Sequence, residues 1–326
     1  MSPSGYAIRD FVIPHAKRAQ QIALRNYNAE RAYVPSLPAI DAVPDLIPFA
    51  ENGFGVAAFD GDEMVGFLCS ISPFNNAFHS TNAVGIFSPM GGNGAIGEKR
   101  AEIYALMYQA AAEKWARAGA SSHAVCLYAH DKEAQEQFFR YGFGLRCIDA
   151  IRGMDGIGTQ SRSGAHFVEI TPDRLSEVLP LIHLLDAHMV ASPTFMQYPS
   201  YTESSFSEKT TMLQARYFVA ETDGRIVALI TAVRDGETFI CDTPGYLHLR
   251  WTFCLPEYRG KGIAQNLLVF LLHTLREEGF TRIGVDFESI NPAAHNFWLR
   301  YFDAYTHSVV RRIDNTSLPE CCGRCT

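Results

Sequence analysis

With 326 residues, the chain is long for one domain and sufficient for two of ordinary size, and its 47% hydrophobic and 12% aromatic content supplies real cores rather than a disordered chain. A net charge of −7 without a run of Lys or Arg argues against nucleic acid or an anionic membrane as the main partner. No apolar stretch approaches a membrane span, and "MSPSGYAIRDFVIPHAKR" lacks the apolar core of a secretory signal, so the expected setting is the cytoplasm.

In chain order, "VAAFDGDEMVGFLCSI" (residues 56–71) sets an Asp-Gly turn between two β-rich runs, the pattern of a hairpin. A third strand-like run, "VGIFSP", ends at Pro89, and "GNGAIG" (residues 92–97) follows it. Letter by letter this fits the dinucleotide fingerprint, and a nicotinamide-dependent oxidoreductase is therefore one reading. That fingerprint belongs between the first strand of a βαβ unit and its helix, whereas here it comes after a third strand. A strand "HAVCLYA" and an aromatic-rich helical stretch "DKEAQEQFFRYGF" complete the first half. The segment "GMDGIGTQSRSGAH" (residues 153–166) is rich in Gly and Ser and reads as a join.

The second half repeats the plan. A helical entry begins with Thr171 as N-cap and Pro172 at the first helical position. The hairpin "FVAETDGRIVALITAV" (residues 218–233) and the strand "WTFCLP", ending at Pro256, come next. A glycine-bearing turn then opens a helix from about Ile263 to Glu278, with Ile263, Leu267, Leu268, Leu271 and Leu275 on one stripe and Gly279 as stop signal. The strand "RIGVDFE" and "NPAAHNFWLRYF" close the half. The same features in the same order indicate a tandem duplication, with domains at 1–158 and 159–326. Aligned on the two prolines, Gly92 stands opposite Arg259 and Ala95 opposite Gly262, which makes "GNGAIG" a remodelled copy of the second glycine turn.

A helix starting near Ile263 leaves its first backbone N–H groups unpaired and the positive end of its dipole exposed. Gly260 and Gly262 let that backbone approach a diphosphate without Cβ clashes, which turns the loop into an anion cradle. A plain strand-to-helix turn is the alternative.

"CLPEYRGKGIAQNLL" resembles the pyrophosphate loop of the GNAT acetyltransferase superfamily, Arg/Gln-x-x-Gly-x-Gly/Ala, here Arg259, Gly262 and Ala264. Downstream, "VDFESINPAAHNFWLRYF" is similar to that family's next block, a strand followed by Asn-x-x-Ala and an aromatic helix. The resemblance implies an α/β fold of two tandem GNAT domains, each a mixed, mostly antiparallel sheet flanked by helices, with a degenerate N-terminal copy. It also implies acetyl-CoA (or another acyl-CoA) as cosubstrate and a small amine as acceptor. By resemblance, Thr252, Phe253 and Cys254 present strand-edge backbone to the pantetheine arm. Gly260, Lys261, Gly262, Ile263, Ala264 and Gln265 would wrap the diphosphate, with Arg259 or Lys261 adding charge, and Asn291 would both cap its helix and contact coenzyme A.

Acetyl transfer to an alkylamine meets a proton problem, since an amine of pKa about 10.4 is almost wholly protonated at neutral pH, a deficit of roughly 4.6 kcal/mol. A base is needed, and strand alternation places Asp286 and Glu288 on one face of "GVDFES". The resemblance favours Asp286, five residues before Asn291; the alternative is that these carboxylates hold a substrate cation or cap local structure. His248 is a second candidate base, against a structural role. The pair of carboxylates points toward a cationic acceptor. The family's usual acid, a Tyr seven residues after the Asn, is here Trp298, and Tyr301, Tyr305 or water would have to substitute. A noncatalytic acyl-CoA-binding regulator is the alternative this departure favours. No metal is expected: Cys322 and Cys325 form a C-x-x-C pair in the tail, but no second pair completes a zinc site.

Overall fold

A computed structural model of the protein describes residues 5–79, 83–158, 164–198 and 200–314. The tail with Cys322 and Cys325 lies outside the described residues. The chain divides into two compact units, one running to Ile148 and resuming at Ala304, the other spanning Asp149–Asp303.

Unit 1 begins with β1 (Tyr6–Asp10), α1 (Ala16–Tyr33) and the short α2 (Ile47–Glu51). The expected hairpin forms as β2 (Val56–Asp60) and β3 (Glu63–Leu68), followed by β4 (Gly85–Ser88) and β5 (Asn93–Ala95). Helix α3 (Arg100–Arg117), β6 (Ser122–Tyr128), α4 (Lys132–Arg140) and β7 (Gly144–Gly153) come next. One sheet runs β1-β2-β3-β5, and β4 and β6 pair in parallel. Helix α3 presents Ile103, Tyr104, Met107, Tyr108, Ala111 and Trp115 on one buried stripe, which packs in a core with Leu68, Val125 and Phe138.

Unit 2 contains β8 (His166–Glu169), α5 (Leu179–Val190), α6 (Glu203–Leu213), β9 (Arg216–Thr222) and β10 (Arg225–Val233). It continues through β11 (Tyr246–Cys254), α7 (Ile263–Glu277), β12 (Arg282–Glu288) and α8 (Pro292–Trp298). The order β12-β11-β10-β9-β8 is antiparallel except for the β11–β12 pair. Thr171 is an N-cap as expected, although the turn it caps is a 3-10 segment, Pro172–Glu177, and α5 starts only at Leu179. Helix α7 buries Ile263, Leu267, Leu268, Leu271, Leu272 and Leu275, and Gly279 leaves the helix with φ +90.

The chain's closing strands are exchanged with respect to the sequence halves. The final strand, β13 (Asp303–Arg312), pairs antiparallel with β6 from Thr306↔Tyr128 to Arg312↔Ser122, so it completes unit 1. The end of β7, from Asp149 on, belongs to unit 2, where β7 neighbours β12. The units therefore part at 148/149 and 303/304, whereas the sequence halves part at 158/159. No helix among the described residues is long and apolar enough to cross a membrane.

Candidate acyl-CoA site

Strands β11 and β12 pair in parallel from Tyr246↔Arg282 to Leu249↔Val285, and there the ladder ends. Across the other edge of β11 the register slips between Ile230 and Ala232, so Thr231 alone faces Arg250 and Trp251, a bulge that bends the strand. Beyond it, Thr252–Cys254 pair with Ile230–Ala228 only. The two central strands thus part, and a cleft of about 350 Å³ lies along the freed segment. Its walls include Thr252–Cys254, Arg259, Gly260, Gly262–Gln265, and Ala293, Phe297, Trp298 and Tyr301 from the other side.

The start of α7 faces this cleft. Gly262 is its N-cap in the left-handed region (φ 78), and Gly260 shares that conformation (φ 72) with open space where a Cβ would stand. The first helical bond runs from the Asn266 N–H to the Gly262 carbonyl, so the N–H groups of Ile263, Ala264 and Gln265 have no partner within the helix. No side chain caps them. Arg259 donates from Nε to the Cys254 carbonyl (2.9 Å) and holds its guanidinium over Phe253. Gln265 donates from its side chain to the Gly158 carbonyl (2.5 Å), and only its backbone is left for an anion. These groups fit a diphosphate: unpaired N–H donors, no Cβ obstruction and a cation at the rim.

Two of the expected cofactor residues stand apart. Lys261 is exposed over the Tyr258 ring and does not line the cleft. Asn291 is buried; its side chain accepts from the Ala293 and Ala294 N–H groups and lies beside His188 and Met189, so capping accounts for it and it is not among the cleft-lining residues. Of the two substitute tyrosines, Tyr301 lines the cleft, next to Phe297, whereas Tyr305 belongs to unit 1. Cys254 also lines it, and burial pushes its thiol up to about 11.

The ionisable residues gather on β11 and β12. His248 is 1% exposed and donates from Nε2 to Asp286 Oδ1 at 2.6 Å. Its Nδ1 lies 3.0 Å from the Tyr246 hydroxyl and 3.9 Å from Cys241 Sγ. Burial by itself would lower the His248 pKa; the hydrogen bonds to Asp286 and Cys241 outweigh it and raise the group to about 10. Burial likewise works against the Asp286 anion, yet the bond and charge of His248, with Arg250 beyond, hold it below the usual carboxylate range. The sequence reading missed Glu237. This solvent-exposed residue is pushed up to about 8, first by the Asp286 charge and further by Asp149 and Glu288, with His248 opposing. Its neighbours come from β7 and β12, far away in sequence, and no local motif marks it. Among the described residues no group of three or more His, Cys, Asp or Glu is arranged to hold a metal ion.

In unit 1 the fingerprint "GNGAIG" is not a loop. Asn93–Ala95 is a buried strand paired with Leu68–Gly66, the place that Thr252–Cys254 takes against β10. A Cβ at Gly94 would come within 2.9 Å of the Asn26 amide. The proline alignment is thereby corrected, because the turn that opens α3 is Ile96–Lys99, and a segment buried in a sheet cannot wrap a dinucleotide.

The family model described as "Acetyltransferase (GNAT) family" matches residues 184–303. A GCN5-related N-acetyltransferase from Sphaerobacter thermophilus matches with a TM-score of 0.58 at 14% identity, covering 96% of this chain and 97% of that one. The GCN5-related glucosamine N-acetyltransferase region of a fungal multi-domain GH3 β-N-acetylglucosaminidase gives 0.52 at 12% identity, over 95% of this chain and 38% of that one. No curated protein matches. Residues 184–303 belong to the GNAT acetyltransferase family, and the chain around them carries the GNAT fold.

Proposed function

We propose that the protein is an N-acetyltransferase that binds acetyl-CoA in the cleft of unit 2 and passes the acetyl group directly to a small amine. The observation that carries this reading is the parting of β11 from β12 beside a helix start with unpaired N–H groups and two left-handed glycines. Backbone N–H groups of Gly260–Gln265 would hold the diphosphate, each charge-assisted bond contributing about 1.5–3 kcal/mol. The free edge of Thr252–Cys254 would guide the pantetheine arm and offer an N–H to the oxyanion of the tetrahedral intermediate.

Direct transfer follows from the state of Cys254. With its pKa near 11 the group is a thiol at neutral pH and a poor acyl acceptor, so no covalent enzyme intermediate is expected. On the acceptor side, Asp286 and Glu288 would provide negative charge for an ammonium, and Glu237, which the Asp286 charge pushes up to about 8, would take the proton as the amine attacks; the three stand outside the cleft-lining residues. Tyr301 is one of two tyrosines lining the cleft, with Tyr258, whose hydroxyl could protonate the departing thiolate.

A second reading, an acyl-CoA-binding regulator without turnover, draws on the buried Trp298 that lines the cleft. Thiol release from acetyl-CoA across a panel of amines, with calorimetry of acetyl-CoA binding, separates the two. Binding with amine-dependent thiol release supports the transferase. Binding without release from any amine supports the regulator, and no heat at millimolar ligand removes both.

A further inference from the structure

The strand histidine of unit 2 has a setting that differs from that of a proton acceptor. One imidazole nitrogen is fixed on Asp286 at 2.6 Å, and the other is enclosed by Tyr246 at 3.0 Å and Cys241 at 3.9 Å. Gly236 packs flat on this ring, since a Cβ there would come within 3.1 Å of Nδ1 and overlap Cys241 Sγ. A Cβ at Gly284, its partner residue across the β11–β12 ladder, would overlap the Tyr246 hydroxyl. The local sequence is thus shaped to seat the ring, and the ring leaves only Asp286 exposed: that side chain is 31% accessible against 2% for His248.

We propose that His248 is a positioning residue, a buried cation that locks Asp286 as an oriented anion for the charged amine of the acceptor. The proposal rests on the transferase reading; His248 and Asp286 stand where β11 and β12 part and are not themselves among the residues lining the cleft. A free carboxylate on a strand edge rotates about two bonds, whereas a carboxylate with one oxygen bonded from behind presents its second oxygen in a fixed direction. Burial also presses the Asp286 carboxylate to take up a proton, and the imidazolium relieves it. Arg250 acts on Asp286 from β11, and Tyr246 and Cys241 face the histidine. With both nitrogens engaged and its ring buried, His248 has no route by which to receive a substrate proton and hand it to water, and that task falls to Glu237.

Two measurements on the full chain test this. In the first, histidine-selective ¹⁵N NMR, assigned with His248→Gln, should show both ring nitrogens of His248 protonated and unchanged from pH 6 to 8.5, and Asp286→Asn should return its titration to that range. In the second, His248→Gln should raise the KM of the best cationic amine about tenfold, with kcat altered less than threefold and the KM for acetyl-CoA unchanged. A neutral ring at pH 7, or an amine KM that does not move, overturns the positioning role. If no amine elicits thiol release from wild-type protein, the transferase reading fails and the acceptor role fails with it, while the NMR result still decides whether the ion pair exists. The NMR arm on wild-type protein also stands if His248→Gln does not fold.

Discussion

The two units share a plan of parallel central strands followed by a helix, and in unit 2 a cleft opens where those strands end. In unit 2, β11 and β12 part after Leu249↔Val285, and Thr252 spends its hydroxyl on the Arg250 carbonyl of its own strand. In unit 1, β4 and β6 part after Ser88↔Val125, and Asn93, the counterpart of Thr252, reaches across the gap to the Cys126 carbonyl at 3.0 Å and to Ser88 at 3.2 Å. The Tyr104 hydroxyl closes the stitch on the Asn93 amide oxygen (3.2 Å), one turn into α3, where α7 has Leu267. At the helix start Arg100 pairs with Asp131, so a side-chain cation and its carboxylate stand near the place an incoming diphosphate would need. One amide and one tyrosine fill in unit 1 the place that is open in unit 2, and the open cleft is defined as much by what is missing from it as by its glycines.

The sharpest break of this comparison is at the helix starts. Gly262→Asp adds a negative charge and a strained left-handed residue where the diphosphate would sit, and calorimetry should show at least a hundredfold loss of acetyl-CoA affinity, the worth of one or two charge-assisted bonds of about 1.5–3 kcal/mol. Gly97→Asp, at the equivalent turn of unit 1, should leave affinity and a stoichiometry of one per chain untouched; a second site lost on this change would undo the asymmetry.

Stability sharpens the same contrast. Asn93→Leu removes the buried hydrogen bonds to the Cys126 carbonyl and from the Tyr104 hydroxyl, each worth about 0.5–1.5 kcal/mol, and denaturant melts should lose about 1–3 kcal/mol with no change in acetyl-CoA affinity. In unit 2 the polar lock titrates. His248, raised to about 10, contributes stability that is complete below its ordinary value near 6.5 and disappears as pH climbs through about 10. Asp286 acts at the other end, losing its contribution as pH falls through its depressed value. Thermal melts of wild-type protein should therefore drop between pH 9 and 11, and those of His248→Gln should lack that component.

Smaller effects concern the proton. If Glu237 accepts it, kcat/KM rises with pH through about 8, and Glu237→Gln removes that limb and lowers the plateau about tenfold. The least change is expected from Tyr301→Phe, about threefold in kcat, because a coenzyme A thiolate leaves acceptably without an acid. A loss near a hundredfold there would give Tyr301 the full role of the missing tyrosine.

What could be read from the sequence was local. The stripe of α7, its glycine stop and the left-handed turn before it depend on residues within four positions of one another, and they were placed to within a residue. The fingerprint in unit 1 misled because the proline alignment allowed no interruption between β4 and β5, where Pro89–Gly92 make a turn and the strand resumes. Glu237 escaped notice because its setting is made by Asp149, Asp286 and Glu288, which only the folded sheet assembles. The exchange of closing strands left no mark either, since β7 and β13 are both ten-residue strands that end a half, and nothing in their pattern names a partner.

That exchange has a consequence for biosynthesis. Strand β6 is buried along its whole length, and its antiparallel neighbour is contributed by Thr306–Arg312. While a ribosome is still making the second half, the first therefore waits with a bare row of amides and carbonyls, a template for any stray extended segment. Completion arrives only once Thr306–Arg312 has been made, so a premature stop anywhere before it would spoil unit 1 as well as unit 2.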